Sequence, residues 1–296
     1  MIFKTKYLIL LLFLLFMNEV FGQELSRDSI LAILKEAYEL DQAPRRSIDS
    51  LIRLNESDGN KYLPIIEQQK QNDSINQIKI LPIIDYIFKS QVYDLDTFVY
   101  NNCWIIIQHA PSYTLYKYKD FIKQLIEKNL ISASSYMAYM DRCEVKKSKA
   151  QLYGYQHYRF PTGQVVQYPK KVGYEKRWKD LGLTYNESLI LPPGYGTKYH
   201  CDICIDDTQF VIIGSVTRNS SCDTFENISI FINDKEIEVD SHGIFKSIVK
   251  KQALPLILKF KTANYLQEYV VNGDCETDYY ILNCIYDEDN IYISRG

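Results

Sequence analysis

The sequence predicts an α+β protein, in which a mainly α-helical domain with one β-hairpin is followed by a small all-β sandwich. Three observations lead to this fold class. Apolar residues recur at helical spacing in the first part of the 296-residue chain, and short β-type runs replace them beyond residue 206. Between the two patterns, residues 191–199 contain two prolines and two glycines, which favour an irregular connection. We therefore predict an α-rich domain at 23–190, a linker at 191–205 and a sandwich at 206–296.

The first 22 residues have the pattern of a signal peptide. Lys4 and Lys6 precede an apolar run at residues 8–17, and Gly22 ends a cleavage site. The run is shorter than the roughly 20 apolar residues that cross a bilayer. The 34 basic and 37 acidic residues give a net charge of −3. The sequence therefore lacks the excess of basic residues that would indicate nucleic-acid binding. We expect an exported protein, periplasmic or secreted, with no membrane span after cleavage.

Apolar spacing predicts most of the N-terminal helices. Ser26 is a suitable N-cap for the first, whose apolar residues are Ile30, Ile33, Leu34, Ala37 and Tyr38. Residues 41–46 are expected to interrupt it, and Pro44 would occupy the first turn of a second helix that carries residues 48–52. The other helices are predicted at 62–69, 74–88, 115–129 and 134–142. Pro82 is expected to kink or split the helix that contains it.

The rest of the chain contains one undecided element and then mainly strands. Residues 98–107 are nearly all apolar, and periodicity alone does not separate a helix from a strand there. The chain becomes tyrosine-rich from Gln151, and Phe160, Pro161 and Gly163 indicate a hairpin turn. A helix at 174–181 would end at Gly182. Seven strands are predicted after the linker, at 210–216, 228–232, 236–239, 244–249, 254–260, 269–271 and 279–282.

The seven cysteines follow the predicted signal peptide, and their odd number leaves at least one without an intramolecular partner. Export favours oxidation, so we expect disulfides. The preferred pairs are Cys103 with Cys143 and Cys275 with Cys284. Cys201 and Cys204 form a C-x-x-C pair. We rank a structural disulfide first for this pair, a redox role second and metal binding third, since no second such pair completes a zinc site.

The C-terminal part contains three segments that match a known family. They are Ile213-Gly214-Ser215-Val216, Asn227-Ile228-Ser229-Ile230 and Asp240-Ser241-His242-Gly243-Ile244-Phe245. With these segments the tail resembles the carboxypeptidase regulatory-like domain, a transthyretin-like sandwich. The resemblance implies a structural or interaction role, such as docking to a cell-envelope protein.

A second set of motifs lies in the N-terminal part. They are Asp41-Gln42-x-x-Arg45, Gln108-His109-Ala110, Ala138-Tyr139-Met140-Asp141-Arg142, Gln151-Leu152-Tyr153-Gly154-Tyr155-Gln156, and Arg177 with Leu181-Gly182-Leu183. With them, residues 25–189 resemble a bacterial family of unknown function. Tyr155 departs from the pattern, which more often has Thr there, and Cys143 replaces an apolar residue. The resemblance implies no activity.

These motifs supply the candidate ligand-binding residues. They are Asp41, Gln42, Arg45, Gln108, Arg142, Gln151, Tyr153 and Gln156. Arginine is scarce in this chain, and its planar fork suits carboxylates and phosphates, so we expect a small polar or anionic ligand. Arg142 could equally form a buried ion pair with Asp41 or another acid. A bulge at Gly154 would bring the glutamines to one face, or they could tie a hairpin to the helices.

His109 and Asp141 are the candidate catalytic residues. An imidazole at position 109 could act as a general acid or base, with Asp41 or Asp141 orienting its other nitrogen. A histidine that caps a core helix is the alternative. No metal-ligand spacing and no cofactor motif is found, so neither group is expected. The preferred function is a binding or interaction module that the sandwich docks. A hydrolase or transferase that uses His109 is the alternative, and a purely structural role is third.

Overall fold

The computed structural model describes residues 26–54, 59–91, 94–160, 164–185, 198–199, 203–218, 228–262, 266–272, 276–286 and 291–296. It confirms an α+β protein with helices mostly N-terminal and strands mostly C-terminal. The predicted signal peptide and most of the predicted linker lie outside the described residues. The chain divides between Ile131 and Ser132 into two compact units, which we call the helical unit and the sandwich unit. No described helix has the length and apolar character of a membrane span.

The described part of the helical unit consists of five helices. They are α1 (Arg27–Arg53), α2 (Gly59–Lys89), α3 (Thr97–Gln108), α4 (Ser112–Lys117) and α5 (Lys119–Glu127). Their shared core contains Leu34, Ile84, Val99, Ile107 and Phe121, each fully buried. Ser26 Oγ accepts a hydrogen bond from Ser29 N, as predicted for an N-cap. The undecided segment at 98–107 is helical, and its N-cap Asp96 accepts from Phe98 N.

The predicted interruption at residues 41–46 is wrong, because α1 continues through Pro44. A proline has no N–H, so the Leu40 carbonyl one turn earlier loses its helical donor. Asn72 Nδ2 of α2 donates to this oxygen at 2.7 Å and replaces the missing bond. Pro82 does not split its helix, because α2 is continuous through both Pro64 and Pro82, and the alternative of a kink stays a prediction.

The helix predicted at 115–129 is instead two helices, α4 and α5, which meet at Tyr118. The Tyr118 ring is fully buried, and its hydroxyl donates to Asp85 Oδ1 at 2.8 Å. A buried hydroxyl needs such a partner. The break between the helices therefore coincides with a residue that is held by a contact to α2.

The sandwich unit begins with α6 (Ala133–Val145) and also contains α7 (Tyr174–Asp180), both close to the predictions. Its strands are β1 (His157–Arg159), β2 (Val165–Gln167), β3 (Lys170–Lys171), β4 (Lys198–Tyr199), β5 (Cys204–Ile205), β6 (Gln209–Arg218), β7 (Ser229–Ile232), β8 (Lys235–Ile237), β9 (Ile244–Lys250), β10 (Leu256–Lys261), β11 (Leu266–Val271), β12 (Tyr279–Tyr286) and β13 (Ile291–Arg295). Strands β1 and β2 form the predicted hairpin, whose turn at 161–163 lies outside the described residues.

Two four-stranded sheets form the sandwich, with strand orders β13-β12-β6-β9 and β11-β10-β7-β8. Phe210, Ile230, Phe245 and Phe260 lie in the core between them. Strand β6 is buried on its other face as well, where Val211 and Ile213 join a second apolar cluster with Ala150, Phe160, Val166, Ile203 and Ile205. Residues that the sequence assigned to the α-rich domain therefore cover one sheet of the sandwich, which explains why the compact units divide near residue 131.

Two of the matching segments of the sandwich have a physical basis in their contacts. Gly214 of β6 lies opposite Phe245 of β9 in an antiparallel register. A Cβ at residue 214 would lie only 2.1 Å from Cζ of Phe245, so only glycine leaves room for this ring. Asp240 Oδ1 accepts from His242 N and Ile244 N, and Gly243 has a φ of 75°, which favours glycine.

The predicted disulfide between Cys103 and Cys143 is not formed. Cys103 lies in the apolar core of the helical unit, and burial raises the pKa of its thiol to about 12. Cys284 is also buried, with a pKa raised to about 12 by burial. Its predicted partner Cys275 lies outside the described residues, as do Cys201 and Cys222. Cys204 and Cys284 form no disulfide, so the predicted bonds to Cys201 and Cys275 are not formed either.

Candidate functional site

Asp41 and His109 form the central pair of the helical unit. Asp41 is on α1 with only 1% of its side chain exposed, and His109 is the C-cap of α3 with 18% exposed. His109 Nδ1 lies 2.9 Å from Asp41 Oδ1 and 3.0 Å from Oδ2. A proton on Nδ1 would let the ring donate to the Asp41 carboxylate, and Nε2 would then be the acceptor nitrogen of the neutral ring. Asp41, rather than Asp141, is thus the carboxylate that orients His109.

Arg45 and Asp73 extend this pair into a charged cluster. Arg45 follows Asp41 by one turn of α1, and its NH1 lies 3.2 Å from Asp41 Oδ1. Its NH2 donates to both oxygens of Asp73, at 3.0 and 3.1 Å. Gln42 Nε2 donates to Asp41 Oδ2 at 2.6 Å. We call Asp41, Gln42, Arg45, Asp73 and His109 the Asp41 cluster. The guanidinium fork that was predicted to bind an anionic ligand is here engaged by two acids of the protein.

Sequence analysis missed Asp73, which belongs to none of the motifs. Burial raises the pKa of Asp73 and outweighs the nearby charge and hydrogen bond of Arg45, which lower it. One sequence feature could have identified Asp73, because polar residues interrupt a face of α2 that otherwise packs in the core. Asn72 and Asn76 are both buried on that face, and Asp73 is adjacent to them.

The Asp41 cluster also contains the donor types that bind metal ions. One donor atom each of Asp41, Asp73 and His109 lie within 4.8 Å of one another. Carboxylate oxygens and an imidazole nitrogen suit zinc and similar divalent ions. Arg45 contacts both carboxylates, however, and already supplies a positive charge between them. The arrangement therefore suits an ion-pair network or an acid–base pair better than a metal centre.

Three asparagines hold the helices around the cluster. Asn72 and Asn76 of α2 donate to the carbonyls of Leu40 and Ala37 of α1, at 2.7 and 3.1 Å. Asn102 of α3 donates to Leu34 O at 3.4 Å. Buried amides that donate to backbone carbonyls fix the relative position of helices, because leaving them unpaired is costly. The cluster is thus built on a preorganised frame.

A groove also lies between α1 and α2. Its volume is about 670 Å³. Its lining residues are Glu36, Glu39, Leu40, Ala43, Pro44, Ser47, Pro64, Ile65, Gln68 and Asn72. A concave site of this volume is within the usual range for small ligands, about 300–1,000 Å³. None of the predicted site residues lines it, and Asn72 connects it to the frame of the Asp41 cluster.

Asp141 is at the centre of a second cluster, in the sandwich unit. Its fully buried carboxylate accepts from the backbone amides of Leu152, Tyr153 and Tyr155, at 2.6, 2.8 and 2.7 Å. Burial raises the pKa of Asp141 to about 7, although the amide hydrogen bonds lower it. These contacts hold the 152–155 loop against α6, so they favour a structural role for Asp141.

The predicted glutamines belong to the same structural cluster. Gln151 Nε2 donates to Tyr168 O at 2.6 Å, and its Oε1 accepts from Gln156 N at 2.7 Å. Gln156 Nε2 donates to Ala138 O at 3.0 Å. Gly154 has a φ of 98°, within a bend rather than a bulged strand. These contacts favour the alternative in which the glutamines tie the hairpin to the helices over the one in which they bind a ligand.

The remaining predicted residues are distributed between the two units. The Tyr153 carbonyl accepts from Trp178 Nε1 at 2.9 Å. Arg177 donates to the carbonyls of Leu152, Lys171 and Val172. Gln108 is buried at the end of α3, and Arg142 is half-buried on α6. Asp41, Gln42, Arg45 and His109 come together in the helical unit, whereas Asp141, Gln151, Tyr153 and Gln156 come together in the sandwich unit.

Asp278 is a further buried carboxylate of the sandwich unit, which the sequence analysis did not identify. Its oxygens lie 2.6 Å from Lys251 Nζ and 2.9 Å from Lys171 Nζ, and Ala150 N donates to it at 2.9 Å. Burial alone would raise the pKa of Asp278, but these three donors outweigh it and hold the pKa below its usual value. The arrangement joins β3, β12 and the segment after α6.

Comparisons with known proteins give no family for this chain. No protein-family model matches it, and no curated protein matches it. A solved structure from Bacteroides ovatus, provisionally described as a cell adhesion protein, matches with 11% sequence identity and a TM-score of 0.24. The match covers 34% of this chain and 49% of that one, so the chain spans about half the length of that protein. A likeness of this size supports no inference about fold or function.

Proposed function

We propose that this chain is an exported binding protein, whose helical unit holds a small ligand and whose sandwich unit docks to a cell-envelope partner. The observation that carries the proposal is the groove of about 670 Å³ between α1 and α2. The asparagine contacts across α1 and α2 preorganise its walls, and a preformed site loses little entropy on binding. The signal-peptide pattern supports export.

The proposal assigns the ligand to the groove rather than to the motif residues. Arg45 is engaged by Asp41 and Asp73, and the amides of Gln151 and Gln156 donate to backbone carbonyls. A ligand would have to displace these bonds, which are worth more inside the protein than in water. The small polar or anionic ligand predicted from the motifs is therefore not the one we propose.

The docking role of the sandwich rests on the resemblance to carboxypeptidase regulatory-like domains. The Gly214–Phe245 packing and the Asp240 turn give two of its matching segments a structural reason. Both contacts stabilise the fold itself, so they support a sandwich without specifying its partner. The resemblance of residues 25–189 to a family of unknown function adds no activity to the proposal.

A variant that fills the groove tests the binding role. Ala43 is an exposed residue of the groove wall, so Ala43→Phe should occupy the groove without disturbing the core. We expect small-molecule fragments that shift the NMR signals of groove residues in the wild type to lose this effect in the variant. Ala32→Phe on the exposed side of the same helix is the matched control. Equal fragment binding by both variants would contradict the proposal.

A hydrolase or transferase is the second candidate, and the 2.9 Å contact between Asp41 and His109 favours it. In this candidate His109 Nε2 acts as the general acid or base, and Asp41 orients the ring. Turnover of p-nitrophenyl acetate or p-nitrophenyl phosphate should then be lost in His109→Gln and strongly reduced in Asp41→Asn. Turnover that survives His109→Gln would exclude this role.

A further inference from the structure

We propose that the groove between α1 and α2 binds an amphiphilic organic cation, with its apolar part between Pro44 and Pro64 and its positive charge beside Glu36 and Glu39. The inference rests on the proposed binding function and names the ligand class. Three features of the groove support it, namely its shape, the hydrogen bonds of its polar floor and the sign of its charge.

The shape follows from the residues that line the two helices. Ala43, Pro44 and Pro64 have short or ring-closed side chains, so none of them can extend into the space between α1 and α2. Leu40 and Ile65 add branched apolar walls. Such rigid apolar surfaces favour an alkyl or aromatic group, which gains free energy by leaving water.

The polar floor of the groove is already hydrogen-bonded. Asn72 Nδ2 donates to Leu40 O at 2.7 Å, and Asn72 Oδ1 accepts from Gln68 Nε2 at 2.8 Å. Because these groups have partners within the protein, an apolar group can cover them without leaving them unpaired. A ligand with many hydrogen-bonding groups would find little to bind on this floor.

The charged residues that line the groove are both acidic. Glu36 and Glu39 lie three residues apart on α1, so they share one face at the same end of the groove. Arg46 NH2 contacts Glu39 Oε2 at 2.7 Å, but both side chains are more than half exposed, and such pairs are weak and screened by salt. The end of the groove is therefore net negative, which attracts a cation and repels a carboxylate or phosphate.

The experiment measures binding of three probes of equal chain length to the full chain by NMR titration. The probes are octyltrimethylammonium, octanol and octanoate. We expect the cation to bind most tightly and octanoate most weakly. Glu36→Gln should weaken binding of the cation by about twofold to fivefold, the range for an exposed charge pair, and leave binding of octanol unchanged. Glu67→Gln, an exposed glutamate of α2 outside the lining, is the matched control.

The possible outcomes separate this inference from the proposed function. If all three probes bind equally and Ala43→Phe blocks them, the groove is a binding site and the cation inference is wrong. If octanoate binds most tightly, the charge argument is overturned in the same way. If no probe shifts the signals of groove residues, both the inference and the groove-binding function fail. Preference for the cation that falls in Glu36→Gln, but not in Glu67→Gln, supports both.

Discussion

Asp41 of the helical unit and Asp141 of the sandwich unit are both almost fully buried, and both lie in motifs that the sequence marked as candidate sites. Their partners differ in kind. Asp41 contacts the side chains of His109, Arg45 and Gln42, whereas Asp141 accepts three backbone amides of one loop. Side-chain partners can change charge or rotate towards a ligand, while backbone partners are fixed by the fold. The comparison indicates that Asp141 specifies structure and that the Asp41 cluster retains capacity for chemistry.

The largest effect is expected for Asp141→Ala. The change leaves the amides of Leu152, Tyr153 and Tyr155 without their acceptor, and each buried unpaired amide costs about 1–3 kcal/mol. We expect the free energy of unfolding to fall by about 3–5 kcal/mol. Urea unfolding followed by the fluorescence of Trp178, a buried residue of the same unit, measures it.

The matched control is Asp180→Ala, which removes an exposed aspartate of α7. Its unfolding curve should nearly coincide with that of the wild type. A loss below about 1 kcal/mol in Asp141→Ala would mean that the loop finds other acceptors. The contrast between the two buried aspartates would then disappear.

A double-mutant cycle of Asp41→Asn and His109→Gln should show the next largest effect. Asp41→Asn removes the charge that Arg45 and His109 share, so we expect a loss of about 2 kcal/mol, as for hydrogen bonds to charged groups. The coupling energy should be about 1–2 kcal/mol, because the side chains are in direct contact. Urea unfolding of the four proteins measures it, with Trp104 fluorescence as the signal for the helical unit.

Additive effects in this cycle would weaken the contrast between the Asp41 cluster and the Asp141 loop. They would mean that the 2.9 Å contact between Asp41 and His109 carries no energy of its own. The Asp41 cluster would then be no more suited to acid–base chemistry than the Asp141 loop.

A smaller effect is expected from the amide that compensates for Pro44. Asn72→Ala leaves the Leu40 carbonyl without its donor and should cost about 1 kcal/mol. Pro44→Ala restores the helical N–H to this carbonyl, so the double variant should recover most of that loss. Thermal unfolding of the single and double variants measures the recovery. Equal losses in Asn72→Ala with and without Pro44→Ala would show that the Asn72 bond is not a substitute for the helical one.

Local patterns were sufficient to predict much of the fold. The first helix, the β1–β2 hairpin, α6, α7 and most strands of the sandwich follow from spacing, turn residues and caps. Local patterns failed where a distant residue changes the outcome. Pro44 remains inside a helix because Asn72 supplies the missing bond from another helix. The division near residue 131 was not predicted, because the apolar run at 210–213 indicates burial on both faces but not which segment covers the second face.

The candidate site shows the same limit. The motifs contain Asp41, Gln42, Arg45 and His109, and the structure brings these four residues together. Spacing carries no information about whether a buried carboxylate meets side chains or backbone amides, so it did not reveal that Asp141 accepts three backbone amides. Asp73 belongs to no motif, and its place in the cluster depends on how α2 packs against α1.

The smallest effects are expected from pH, and they have opposite signs in the two units. The pKa of Asp73 is raised above its usual value of 3.8, mainly by burial, so its contribution to stability is complete below pH 4 and falls as the pH rises through the raised pKa. The pKa of Asp278 is lowered because Lys251, Ala150 N and Lys171 outweigh burial, so its contribution is complete above pH 4 and is lost at lower pH. Subtracting the curves of Asp73→Asn and Asp278→Asn from the wild type isolates each group. The NMR signals of Trp104 and Trp178, one in each unit, measure the local unfolding free energy between pH 3 and 6. Differences of the same sign would show that the charged partners of Asp73 and Asp278 act alike, and the contrast between the units would rest on Asp41 and Asp141 alone.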